Sequence, residues 1–362
     1  MTDETYAGNA PVRFTSPGEL LASLPQMIGF YPSDSVVLLA NAHSGSRHVG
    51  PVMRCDLPAE PEVREVAVRL VEAITRAEPA SVVTVVIGGT SGAPVRGHRG
   101  LPQRALVREL REQLRASKVT DPAALWLPSI TGGVGWRCYD HARCGGVLPD
   151  PGSTVAAARI VDQGLVTFGS REELQRLVVP DDNARARTRA DHLVAELRSR
   201  PQDAAAEAAR GIEVVRDALL RVRRGDFELT DQELATLARA VSDTRVRDAC
   251  LATVVPPHTA DAHTAERLWQ WLARVLPAPE RAQPAVLAGY SAYAAGNGAL
   301  ARIALESALE SDPDHVLAAL LLRALQGGVQ PRTIRALAGT GERTGGCIDL
   351  PPDAAAGEDP GG

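Results

Sequence analysis

The sequence predicts an α/β protein: an N-terminal, mostly parallel sheet with flanking helices, followed by an all-helical, tetratricopeptide-like C-terminal domain. Three observations carry this. Unbroken apolar runs of strand length, SVVLLA at 35–40 and SVVTVVI at 81–87, alternate with amphipathic helical patterns, the order that builds a helix-covered parallel sheet. After Asp181 the β-branched runs stop, and Ala, Leu, Arg and Glu recur at helical spacing. Gly289, Tyr293, Gly296, Ala301, Ala308 and Pro313 then match the spacings of one tetratricopeptide unit, with small residues where its two helices cross. The resulting division is a disordered N-terminus at 1–12, an α/β domain at 13–180, a helical domain at 181–338 with the repeat-like unit at about 285–326, and a disordered tail at 339–362.

The stretch SPGELLASLPQMIGFYPSDSVVLLA at 16–40 reads as a capped helix, a stop, a turn and a buried strand. Ser16 is the N-cap, Pro17 takes the first helical position, where its missing N–H costs nothing, and Glu19 closes a capping box. Leu20, Leu21 and Leu24 share one side, and Pro25 marks the stop. Pro32-Ser33-Asp34 is turn chemistry. Residues 47–56 form a second strand in a hairpin with the first, and Pro51 favours an edge. The helix opened by Pro61 turns Val63, Val66, Ala67, Leu70 and Ile74 inward; the one opened by Pro102 turns in Leu106, Leu110 and Leu114. Leu125-Trp126-Leu127 and residues 134–139 supply two more strands, 153–162 a helix, and 165–168 a return to the sheet. Ser170 with Glu173 makes a second capping box, and Thr230 with Glu233 a third. Helices of the second domain run roughly over 184–199, 202–223, 231–254, 262–275, 285–295, 299–311 and 314–326.

A net charge of −5 provides no general attraction to nucleic acid or anionic membrane, so neither is expected as a partner. No apolar run reaches membrane-spanning length, and the opening MTDETYAGNAPVRF is acidic and polar, unlike a signal peptide. Five cysteines, an odd number over 362 residues, do not make a secreted disulfide framework, and a cytoplasmic protein is expected. Any lysine chemistry would have to use Lys118, the single lysine.

Candidate sites are few. Gly88, Gly89 and Gly92 follow a buried strand and could turn backbone N–H groups toward a phosphate, although neither nucleotide-binding glycine fingerprint is present. Asp34 and Ser35 stand at the mouth of the first strand, where turn formation already accounts for both. Cys138, His141 and Cys144, spaced C-x-x-H-x-x-C, are donors suited to zinc, with Cys55 as the fourth ligand or Asp140 in its place. A Cys138–Cys144 disulfide and an ordinary half-buried strand are the alternatives, and no bound metal or cofactor is expected. Arg185, Arg187 and Arg189, and later Arg221, Arg223 and Arg224, read as solvated helix faces diluted by Asp191, Glu196, Glu213 and Asp217.

Ser16-Pro17, Leu20-Leu21, Leu24-Pro25, Gly29-Phe30, Pro32 and Asp34-Ser35-Val36-Val37 form a recognisable pattern, as do Trp136 with Cys138, Ser170-Arg171-Glu172 and GALARIALE at 298–306. With these the chain resembles a large, uncharacterised, mainly actinobacterial domain-of-unknown-function family, from about residue 14 to 327. That pattern has two adjacent cysteines where this chain has Cys144-Gly145, and the resemblance implies no activity. The repeat-like unit and the missing catalytic motifs point to a non-enzymatic interaction or regulatory protein with a protein partner at the helical domain. The alternative is a small-molecule- or nucleotide-binding enzyme using the C-terminal edge of the sheet, near Asp34, Gly88 and Gly89.

Overall fold

The computed structural model describes residues 14–41, 49–90, 100–162, 165–180, 192–194, 204–339, 348 and 350. These form two compact units, one built on the chain up to Leu174 and one on the chain from Gln175.

The first unit opens with two short helices. In α1 (Pro17–Ala22) the Ser16 hydroxyl accepts the Glu19 N–H at 3.2 Å. The reciprocal arm of the expected capping box lands one residue early: the Glu19 carboxylate accepts from the N–H and hydroxyl of Thr15, at 2.8 and 2.6 Å. Those two bonds hold Glu19 below the usual carboxylate range. The stop expected near Pro25 is present, since α1 ends at Ala22, and Pro25 itself sits in the first turn of α2 (Leu24–Ile28), where no intrahelical N–H is required.

β1 (Ser35–Asn41) pairs antiparallel with β2 (Val49–Asp56) on one side and with β3 (Ser81–Ile87) on the other. The expected hairpin is present, and Pro51 lies on the edge strand of a six-stranded sheet ordered β2-β1-β3-β4-β5-β6. α3 (Val63–Thr75) connects β2 to β3, and α4 (Arg104–Ala116) connects β3 to β4 (Ala124–Leu127), its parallel neighbour. β5 (Gly135–Cys138) and β6 (Gly145–Val147) then extend the sheet as antiparallel neighbours.

The sheet is mostly antiparallel, which corrects the expectation of a mostly parallel one. The strand–helix alternation does make β2, β3 and β4 run the same way. β1, however, slots between β2 and β3, and β5 and β6 join through tight turns, so among the described strands β3–β4 is the parallel pair. Periodicity reports the helical crossovers but not what inserts between the strands they connect. Residues 165–168 do not return to the sheet either: Phe168 makes one parallel bridge, to Phe30.

α3 and α4 cover one face, where Val66, Leu70, Ile74, Leu106, Leu110 and Leu114 meet Val36, Leu38, Val82, Val86 and Trp126. Val37, Leu39, Val85 and Ile87 on the opposite face are buried as well, which is why these strands read as continuous apolar runs. Each fully buried Val or Leu contributes about 1.5–3 kcal/mol over its exposed state. α5 (Val155–Asp162) and α6 (Arg171–Gln175) follow. At α6 the Ser170 hydroxyl accepts the Glu173 N–H at 3.3 Å, while the Glu173 carboxylate reaches Gly169 N–H at 2.8 Å, again one residue before the expected partner.

The second unit holds α7 (Ala204–Arg223), α8 (Asp231–Ser242), α9 (Thr244–Ala252), α10 (Ala260–Val275), α11 (Ala282–Ala294), α12 (Gly298–Ser311), α13 (Val316–Gln326) and α14 (Pro331–Arg335). The capping box of Thr230 and Glu233 is complete. A single helix expected over 231–254 is broken at Asp243, whose carboxylate caps α9 by accepting the Arg245 N–H at 2.8 Å. The helix expected over 184–199 lies outside the described residues except for a helical 192–194, and the terminal segments expected to be disordered fall largely outside them too. α11 is buried on nearly all sides, as a helix at the centre of a bundle is. α12 packs closely on it: a Cβ at Gly289 would stand 2.8 Å from Cγ of Leu305. No helix among the described residues is long and apolar enough to cross a membrane.

Ser16 acts as a cap, so Ser16→Ala should cost about 1 kcal/mol while Ser16→Asp, which also caps, should cost much less. Urea unfolding monitored on the first unit checks this, and equal losses for the two variants would refute the capping role.

Candidate functional site

The start of β1 and the ends of β3 and β4 lie along one margin of the sheet, and three of the candidate residues meet there. Asp34 is held at φ 38°. Its Oδ1 accepts the Gly89 N–H at 2.8 Å, and its carbonyl accepts the Leu57 N–H at 2.9 Å. Gly88 donates its N–H to the Leu127 carbonyl at 2.9 Å and accepts the Trp126 indole N–H at 3.0 Å. Gly88 sits at φ 76°, and a Cβ there would be 2.4 Å from Asp34 Oδ1. Both glycine N–H groups are thus engaged inside the protein, and a phosphate would have to displace Asp34 to reach Gly89. Gly92 lies outside the described residues. Ser35 is buried; its hydroxyl donates to the Ser33 carbonyl and accepts from Arg54 Nε at 2.9 Å.

Beside Asp34 the same margin opens into a cleft of about 460 Å³, lined by Tyr31, Ser33, Ser129, Thr131, Asp150 and Ser170 among others. Backbone bonds build its walls. Tyr31 N–H donates to Phe168 O, and Phe168 N–H to Gly29 O, both at 2.9 Å, which ties the 165–170 segment to the approach of β1. Asp150 accepts the Gly152 N–H at 3.1 Å and shapes the turn after β6. The lining residues offer hydroxyls and one carboxylate, with no His, Lys, Arg or Cys among them. Such a wall can hydrogen-bond a neutral polar ligand but carries no nucleophile–base pair.

A smaller hollow of about 240 Å³ lies along α4, under Arg104, Arg108, Arg111, Arg115 and Tyr139. Arg111 donates through Nη1 and Nη2 to both oxygens of Asp140, at 2.6 and 2.8 Å, and through Nε to Asp121 at 2.5 Å. The guanidinium holds Asp140 below the usual carboxylate range, whereas burial outweighs it at Asp121 and moves that carboxyl up. Burial also raises the Tyr139 phenol, which donates to Pro102 O at 2.6 Å. The arginines stand at i, i+4, i+7 and i+11 of one helix, a spacing that places them on one face and is already visible along the chain.

The C-x-x-H-x-x-C stretch is the turn of the β5–β6 hairpin. Cys138 N–H donates to Cys144 O and Cys144 N–H to His141 O, each at 3.0 Å, while the His141 residue is exposed. Cys55 lies on β2, four strand spacings from β5 and roughly 19 Å away, so it cannot share an ion with Cys138. Among the described residues no three His, Cys, Asp or Glu side chains gather as a metal-binding group. Gly146 makes room for the Trp136 indole, since a Cβ there would lie 2.9 Å from Nε1. Of the basic clusters, Arg221 is tied to Asp226 and Glu233 at 2.8 and 3.0 Å and Arg223 pairs with Asp261; Arg185, Arg187 and Arg189 lie outside the described residues.

A family model described as Domain of unknown function (DUF4192) matches residues 17–332. The chain belongs to the DUF4192 family. No curated protein and no solved structure matches it. The DUF4192 match spans α1 through Arg332, so both the sheet margin and the helical unit lie within the family domain. The family brings no assigned activity, and the biochemical function of this DUF4192 chain is unknown.

If Asp34 is a structural latch, Asp34→Asn, which keeps an acceptor and tolerates positive φ, should be near neutral. Asp34→Ala should cost about 0.5–1.5 kcal/mol, because water can replace the acceptor lost at the exposed Gly89 N–H, and Gly88→Ala about 1–3 kcal/mol from strain at positive φ. Chemical denaturation of the three variants checks the ranking.

Proposed function

We propose that this chain is a non-enzymatic interaction protein whose helical unit presents the apolar outer face of α13 to a groove of a partner protein. The observation that supports it is the outer side of α13, VLAALLLRALQ, on which Val316 is 70% and Leu320 56% exposed. Only Ala318 and Leu321 of this helix are buried. In stacked helical repeats the helix that closes the run normally presents a polar outer face, because an apolar one invites association, and α13 closes the run of long helices here, with the five-residue α14 after it. Here the outer face is apolar at i and i+4, the anchor spacing that helix-in-groove partners use. The α11–α12 pair, with Gly289 against Leu305 and with Ala301 and Ala308 buried, supports reading it as a tetratricopeptide-like unit preceding that end helix. The reading assumes a cytoplasmic protein, and it assigns no role to nucleic acid.

A second reading is favoured by the hydroxyl-lined cleft at the sheet margin: binding of a neutral, hydroxyl-rich small molecule. A metabolite screen by thermal shift separates it, since a ligand at a hundred times its Kd stabilises by about 2.7 kcal/mol.

For the leading reading, a photoreactive amino acid at Ala319 should crosslink a partner protein in cells. Val316→Glu with Leu320→Glu should leave stability within about 1 kcal/mol, as exposed sites do, and remove that product. Crosslinking that persists with both glutamates in place would rule out this face as the contact. We also propose that the helical domain folds alone: a fragment spanning 175–339 should give a helical circular-dichroism spectrum with cooperative melting, and strand content in it would overturn the division.

A further inference from the structure

The β5–β6 ladder pairs Gly135 with Val147, Trp136 with Gly146 and Arg137 with Gly145. The next opposed pair is Cys138 and Cys144. Cys138 N–H donates to Cys144 O at 3.0 Å, one arm of a hydrogen-bonded pair, while Cys144 N–H closes the turn on His141 O. Opposed residues there have α-carbons about 5.5 Å apart, within the roughly 4.4–6.8 Å span of disulfides, and their side chains leave the same face. Both sulfurs are thiols. Cys250 is fully buried in the other unit and Cys55 sits on the far edge strand, so neither competes locally.

We propose that Cys138 and Cys144 are a reversible dithiol–disulfide pair that closes the turn of the β5–β6 hairpin in response to peroxide. Cys144, half-buried and the more accessible of the two, meets the oxidant slowly, because burial, Cys138 and Asp140 hold its thiol above the ordinary value, and Cys138, at 4% exposure, follows as the resolving thiol. The Cys144 thiolate attacks hydrogen peroxide; an S–O bond forms, the O–O bond breaks, and hydroxide leaves. The Cys138 thiolate then attacks the sulfenic sulfur, forming S–S and breaking S–O, with a second hydroxide leaving. The two thiol protons convert both hydroxides to water, so two thiols are oxidised and one peroxide is reduced to two waters. An external dithiol reverses the bond by thiol–disulfide exchange.

The consequence reaches beyond the turn. As a thiol, Cys138 donates to Asp140 Oδ2 at 3.6 Å and accepts the Asp140 N–H at 3.3 Å. Asp140 is the carboxylate that grips Arg111 of α4. Oxidation removes the S–H donor from that carboxylate, so the redox state of the hairpin is felt at the Asp140–Arg111 contact.

The full-length protein can be treated with hydrogen peroxide, alkylated, and digested with trypsin without reduction. Cleavage after Arg137, Arg143 and Arg159 places the cysteines on separate peptides, 138–143 and 144–159. We expect these two peptides joined as the dominant oxidised product, an intact mass lower by two hydrogens, and full reversal by dithiothreitol. Cys144→Ser, at a half-buried site, should keep the far-UV spectrum, lose the linked peptide and leave Cys138 open to alkylation after unfolding. Two alkylated cysteines after peroxide, sulfinic acid on Cys144 without a link, or a link from either residue to another cysteine would overturn the proposal.

Discussion

β1 is the constraint on which the first unit depends. It is hydrogen-bonded along both sides and buried on both faces from Val36 to Ala40, so none of its backbone groups has water to turn to. Two strands must therefore flank it, and in this sheet both run against it. β2 satisfies one side through a hairpin. The chain then has to cross a face of the sheet, as α3, to bring β3 to the other side in the same direction as β2. Asp34 completes the arrangement at the open end, where it binds the first residues after β3 and the residue following β2.

Much of this is legible in the sequence, because local chemistry decides it. Ser16-Pro17 and Thr230 start helices where expected, and the leucines of α4 face inward at their helical spacing. Beyond the β1–β2 hairpin, strand neighbours are not legible, since an apolar run records burial and says nothing of its partner's direction. The second short helix and the break within 231–254 escape periodicity for a related reason: Ser23 and Asp243 each end one helix and begin the next, so the helical pattern runs on across them. The box arms of Glu19 and Glu173 land one residue early because a long side chain takes whichever N–H the approaching backbone presents.

The candidate sites divide along the same line. Asp34, Gly88 and Gly89 are visible as separate features, but only the sheet register brings them into one hydrogen-bonded group. The Cys138–Cys144 spacing is visible, and the hairpin that opposes the two residues follows from the turn between them. Cys55 looks available to the same loop because strand order cannot be counted along the chain. The Arg111 clamp on Asp121 and Asp140 joins residues from three separate segments, and no spacing rule announces it.

Trp136 carries a consequence for how this domain can diverge. Its indole lies between two distant glycines: a Cβ at Gly146 would collide with the ring at 2.9 Å, and one at Gly18 would just touch Nε1 at 3.4 Å. Positions 18, 136 and 146 are therefore coupled through the volume of one ring. A side chain larger than methyl at Gly18, or any side chain at Gly146, demands a smaller residue at 136, and a tryptophan retained there confines both partners to the smallest residues. A side chain at 146 has to be met by a change at 136, and one beyond alanine at 18 meets the same ring from more than a hundred residues away.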